Sequence, residues 1–179
     1  DIQSKILGTT AHIIVQERMK ENMADYDRLA DKVQTVPDVV AATPFVLRQV
    51  LLTTQSGVQG VVLRGIDPKR EANVTELGKN ITAGQLIDLL TPIKVMQAPA
   101  DDPQGAPRLV EKPGIILGKE LALRLGVFIG DTVNVVSPVG PISAMGMVPK
   151  IRTFAVVALF HSGMYEYDSS LAYIELGEA

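Results

Sequence analysis

Cysteine and tryptophan are both missing from this chain, and histidine occurs only twice in 179 residues. Without cysteine there can be no disulfide, no thiol nucleophile and no thiolate metal site. Aromatic residues make up 4% of the chain, too few for a platform on which bases stack. The formal net charge is −3, which argues against nucleic acid as the main partner. No apolar run approaches the ~18 residues that would read as a membrane span. Zinc-protease HExxH, glycine-rich phosphate-loop and GxSxG nucleophile motifs are all absent. These gaps leave no catalytic set, so the expectation is a protein that is not an enzyme and carries no cofactor or metal. The chain opens on Asp1 without a signal peptide, so a segment of a longer protein is expected.

What is present is apolar: 46% of residues are hydrophobic and 21% charged, enough for a real core. The most telling stretch runs from Gly130 to Asp168. Asp131 to Ser137 alternates, with Val133 and Val135 on one face. Lys150 to Phe160 alternates as well. Phe154, Val156, Ala158 and Phe160 are expected on one face, Ala155, Val157 and Leu159 on the other. The join, Pro138 to Pro149, is longer than a hairpin needs and holds three prolines and no charge. Proline lacks an amide donor and fixes φ, so it stiffens the loop and interrupts a ladder. Val139, Ile142, Met145, Met147 and Val148 need either burial or a partner. A loop folded onto its own core and a partner-binding loop both satisfy that need.

The rest of the chain reads as mixed helix and strand. Ala11 to Gln16 is expected to be a short strand. Met23, Tyr26, Leu29, Ala30 and Val33 have helical spacing, with Asn22 as N-cap and Pro37 ending the helix. Val39 to Thr54 and Val58 to Ile66 predict a hairpin turning at 55–57. The pairs Asn73/Glu76 and Thr82/Gln85 have capping-box spacing and predict two short helices. Residues 98–113 read as a loop, Gly114 to Leu117 as a strand, and Lys119 to Leu125 as a helix capped by Gly126. Leu171 to Leu176 reads as a last strand, expected to pair with the N-terminal unit beside an edge that stays unfilled or is filled by a neighbouring molecule.

Polar candidates outside the loop are few. His161, Ser162 and Asp168 lie close in sequence, which allows a triad in principle, and His161, Glu166 and Asp168 could hold a metal. A polar turn is the simpler account. Lys150 and Arg152 share a strand face, either as a solvated edge or as a positive rim beside an apolar hook.

Three segments carry a family resemblance: GVVLRGIDP (Gly60 to Pro68), IILGKELALRLGV with Gly130-Asp131 after it, and MVPKIRTFAVVALFHSGMYEYDSSLAYI (Met147 to Ile174). They resemble the periplasmic domain of lipoprotein-releasing ABC transporter permeases of the LolC/LolE type, which is similar to the periplasmic core of MacB. The resemblance implies an α+β, two-part MacB-like domain. Residues 1–54 would begin a Porter-like unit of strand, helix and strand. Residues 55–165 would form an inserted, β-rich Sabre-like unit carrying a hook hairpin, and 166–179 would start the Porter-like C-terminal half, in which a further helix and strand follow. It also implies a periplasmic location on a bacterial inner-membrane protein. The implied partners are a LolA-type lipoprotein carrier, the lipoprotein cargo, and an ATPase subunit and second permease reached through membrane parts, with no nucleic acid.

In LolC-type members a proline-bounded hook enters the carrier's apolar cavity, beside a polar and basic pad. Here the hook positions are Pro138, Pro141, Ile142, Met145, Gly146, Met147 and Pro149. The pad positions are Asn134, Lys150 and Arg152, with Asn134 where an arginine is expected and Ile151 in place of a polar residue. The alternative is a mechanotransmission domain of a MacB-like efflux pump, or another ABC permease, that docks an adaptor protein.

Overall fold

A computed structural model describes residues 11–16, 23, 25–97, 106–137, 142–143, 146–147 and 149–179. Its helices are interspersed with runs of strands that pair mostly antiparallel, an α+β arrangement. Helix α1 (Tyr26–Gln34) starts after Asp25 and ends three residues before Pro37, consistent with proline's exclusion of the preceding residue from the helix. Met23 lies outside it, and the expected cap Asn22 is outside the described residues. Residues 11–16 form no strand, and Ile13 is 78% exposed. An apolar run becomes a strand only where a neighbour takes up its amides, and no described strand pairs with this one.

Strands β1 (Phe45–Thr53) and β2 (Val58–Ile66) form an antiparallel hairpin in full register, Phe45 opposite Ile66 and Thr53 opposite Val58. Helix α2 (Pro68–Glu71) follows, capped by Asp67, whose carboxylate accepts the amides of Lys69 and Arg70. Short helix α3 (Leu77–Asn80) and strand β3 (Ile81–Ala83) come next. The Asn73/Glu76 capping box does not form, because Asp67 starts the first helix and Glu76 itself flanks the second. The box expected at Thr82/Gln85 is displaced by three residues: Gln85 and Asp88 cap each other at a 3-10 turn, Leu86–Leu90. Part of the expected loop at 98–113 is strand, since β4 (Ile93–Gln97) pairs with β5 (Arg108–Lys112). Strand β6 (Gly114–Gly118) leads into α4 (Lys119–Leu125), closed by Gly126 at φ 65°, a left-handed C-cap that favours glycine.

Strands β7 (Thr132–Ser137), β10 (Lys150–Phe160) and β11 (Leu171–Glu175) complete a seven-stranded sheet in the order β3-β10-β6-β11-β2-β1-β7. Because β7 pairs with both β1 and β10, six of these strands close on themselves. Closure leaves β11 fully covered, parallel to β2 on one side and antiparallel to β6 on the other. The unfilled edge expected beside β11 is therefore overturned. The sheet takes strands from all three sequence ranges, 1–54, 55–165 and 166–179.

The closed ribbon encloses Leu52, Leu63, Ile115, Leu117, Val133, Phe154, Val156 and Ile174, with Leu121 and Leu125 of α4 packed into the same cluster. A second cluster lies on the other side of the sheet, where Ile116, Ala158, Phe160 and Tyr173 meet Leu77, Leu86 and Leu89. Phe160 and Tyr173 meet edge to face at 5.4 Å. Strand β10 serves both clusters through a bulge. Val156 pairs with Ile115, but Ala158 pairs with Ile116, so Val157 is an extra residue. One extra residue exchanges the two faces of a strand. Phe154 and Val156 thus point into the closed ribbon while Ala158 and Phe160 point out, correcting the single-face expectation for these four. Gly84, at φ 75°, lies against the bulge, where a side chain would collide with the carbonyl of Val157.

Beneath the second cluster lies a buried polar group. Arg64 sits over the ring of Phe45 at 4.7 Å and pairs with fully buried Glu71 at 3.5 Å, while the Thr75 hydroxyl donates to Glu71 at 3.0 Å. Burial raises the Glu71 pKa, with the Arg64 charge and the Thr75 hydrogen bond opposing it in part. Burial also pushes the Tyr173 phenol up to about 12.

Candidate partner-binding hairpin

The ribbon β7–β10 is a continuous antiparallel ladder from Thr132 opposite Ala155 to Ser137 opposite Lys150. Beyond that pair the chain ladders again, as β8 (Ile142–Ser143) against β9 (Gly146–Met147). Residues 138–141 separate the two ladders on one arm and 148–149 on the other, so the arms are unequal. The long join foreseen as a loop thus has a small β-ladder of its own. Of the expected hook residues, Ile142, Gly146 and Met147 lie in that ladder. Pro149 is exposed just before β10. Pro138, Pro141 and Met145 lie outside the described residues.

The expected pad residues divide between two faces. Residues opposite one another in an antiparallel pair share a face. Arg152 opposes Val135, and Phe154 opposes Val133, so Arg152 is on the side that faces the ribbon's interior. Lys150, two residues earlier, shares that side and is exposed. Asn134 opposes Thr153 on the other side, where its side-chain oxygen accepts the Thr153 hydroxyl at 2.8 Å. The structure brings Lys150 and Arg152 together and sets Asn134 apart.

Arg152 is engaged within the chain. Its guanidinium stacks 5.4 Å from the Phe154 ring centroid, donates to the Glu178 carbonyl at 2.8 Å and forms an ion pair with the Glu178 carboxylate. Nothing local could have signalled this contact, which spans 26 residues and depends on the position of β11. Sequence reasoning also missed an apolar row outside the ribbon. Leu51 opposes Val136, which opposes Ile151, and Ile151 is 62% exposed. Alternation within each strand was the only available signal, and it does not say which strands adjoin.

The histidine cluster is a turn lock. Asp168 is 1% exposed and accepts the Ser162 amide at 2.7 Å and the Ser162 hydroxyl at 2.8 Å, while His161 Nδ1 lies 2.7 Å from its other oxygen. A serine nucleophile needs the imidazole between serine and carboxylate. Here the carboxylate stands between them, so the triad arrangement is overturned. Among the described residues no three His, Cys, Asp or Glu side chains converge as metal ligands. Also among the described residues, no helix is long and apolar enough to cross a membrane.

No protein-family model matches the chain. It is similar to the lipoprotein-releasing system transmembrane protein LolC of Neisseria meningitidis serogroup B, with 31% identity over 182 residues. The same-named proteins of two strains of Xylella fastidiosa are 30% identical over 179 residues. The alignments cover 100% or 98% of this chain but 38% of each relative, so the chain spans well under half the length of the proteins it matches. Matched along its whole length by these relatives, the chain is a segment of the LolC family.

Proposed function

We propose that this chain is the periplasmic domain of an inner-membrane ABC permease that releases lipoproteins, and that its hairpin recruits a LolA-type carrier. In this reading the work of ATP hydrolysis belongs to a separate subunit, and the chain itself catalyses nothing. The division into a Porter-like unit (1–54 and 166–179) and a Sabre-like unit (55–165) belongs to the same reading; any such boundary cuts through the shared sheet rather than between sheets. One observation carries the proposal. The ladder of β7 and β10 ends at Ser137 and Lys150, and β8 and β9 resume pairing beyond it in a stretch of twelve residues, 138–149, without charge. An uncharged, proline-bounded hairpin presents apolar side chains at low entropic cost, which suits a carrier with an apolar cavity.

The register supplies the test. Ser137 opposite Lys150 is a closing pair that a two-residue Asn-Gly turn can join. Replacing residues 138–149 by Asn-Gly should leave the thermal melt of the chain within a few degrees of the parent. Capture of the purified carrier by the shortened chain should be lost. Equal capture by parent and shortened chain would refute the hairpin's role.

A further inference from the structure

The 3-10 turn Leu176–Glu178 leaves the end of β11 and crosses the mouth of the closed ribbon on the side from which the hairpin extends. It is seated at two points. At β2, Gly65 leaves room for it, since a side chain there would meet Ala179 and Leu176. At β10, both arms of the Arg152 guanidinium are taken by Glu178, one by its carbonyl and one by its carboxylate. Glu175 holds the turn from behind by accepting the amide of Gly177 at 2.8 Å.

Arg152 lies two residues from the pair that closes the hairpin base, next to exposed Lys150. A cation in that place would serve an acidic group on a docked protein, yet the chain fills it with its own carboxylate. The side chains of Arg152 and Glu178 remain 39% and 34% exposed, so an incoming carboxylate can reach the pair without unfolding the strand. Guanidinium binds carboxylates interchangeably through its planar fork.

We propose that Glu178 is a built-in competitor for Arg152, and that docking of an acidic surface at the hairpin base exchanges the Glu178 carboxylate for one from the partner. The contact is thus a restraint on binding: a partner without a carboxylate at that point cannot displace Glu178, and one that has it gains only the difference between two ion pairs. The proposal rests on the carrier reading above and adds a specificity element to it.

The test is a calorimetric titration of purified LolA-type carrier into the parent chain, Glu178→Gln, Arg152→Gln and the double variant. Glutamine keeps the shape of glutamate and removes the charge. Exposed ion pairs are worth a few tenths to about 1 kcal/mol, so Glu178→Gln should bind about two- to fivefold tighter, and more so at low salt. Arg152→Gln should bind more weakly than Glu178→Gln, and adding Glu178→Gln to Arg152→Gln should change nothing further. Unchanged or weaker binding by Glu178→Gln alone would overturn the exchange while leaving the carrier reading intact. Absence of binding by the parent would overturn both.

Discussion

Glu71 is a carboxylate with no exposed surface, held by Arg64 and Thr75, and burial nevertheless dominates its titration. Because its folded pKa lies above the ordinary glutamate value of 4.5, the folded state holds this proton more tightly than the unfolded chain does. Its contribution to stability is therefore greatest below the ordinary glutamate range and falls as pH rises through the raised value. Urea melts of the parent and Glu71→Gln between about pH 4 and about pH 8 should show the parent losing ground to the variant as pH increases. A difference that stays flat, or grows in the parent's favour, would count against this assignment. Asp168, by contrast, fixes a turn. It accepts two hydrogen bonds from Ser162 and pairs with His161 where the chain enters α5 (Tyr165–Ser170). Asp168→Asn should cost about 1–3 kcal/mol, because a buried network loses acceptor capacity. His161→Ala, with its imidazole half exposed, should cost no more than about 1 kcal/mol. Thermal melts of the two variants check this: equal losses would show that the histidine holds the turn as much as the carboxylate does.

At the scale of elements, β10 shows what a sequence pattern carries and what it cannot. Its limits, Lys150 to Phe160, are legible from period two alone, as are those of β2, because each is a long alternating run bounded by turn residues. The bulge at Val157 is not legible: the register is set by β6, more than thirty residues away in sequence, and alternation assumes that no residue is extra. Helix α4 and its Gly126 cap are readable for the opposite reason, since all their determinants lie within eight residues. Residues 11–16 mislead because strand propensity says nothing about whether a neighbour exists. The hook residues are legible as uncharged and proline-bounded, whereas the division of Asn134 from Arg152 requires the β7–β10 register. If Val157 is the extra residue of the bulge, deleting it should cost little more than shortening its side chain. The deletion leaves Ala158 opposite Ile116 and Phe160 opposite Gly118, so both keep their face and the loss should stay below about 4 kcal/mol. A deletion variant that fails to fold would show that the two faces of β10 are not set by this one extra residue.

For the whole molecule, closure of the ribbon separates stability from binding. The cluster inside the ribbon draws on strands β1, β2, β6, β7, β10 and β11, on helix α4 and on Val127 after it, with Leu52, Leu117 and Leu125 fully buried. The hairpin prolongs two of those strands past their last shared pair, so the body can hold it without depending on it. In the proposed function, residues 138–149 bind the carrier while the closed sheet supplies a rigid base. Met145 stands between Ser143 and Gly146 in sequence, where an apolar anchor would enter a cavity. A large apolar side chain buried at an interface contributes roughly 1.5–3 kcal/mol, and an unpaired carboxylate in its place adds a desolvation cost. The most direct measurement is a calorimetric titration of carrier into Met145→Glu beside thermal melts of the variant and the parent. Binding should weaken about tenfold or more while the melt stays unchanged. A variant that melts several degrees lower and binds as tightly as the parent would refute this division, because the hairpin would then belong to the core and not to the partner.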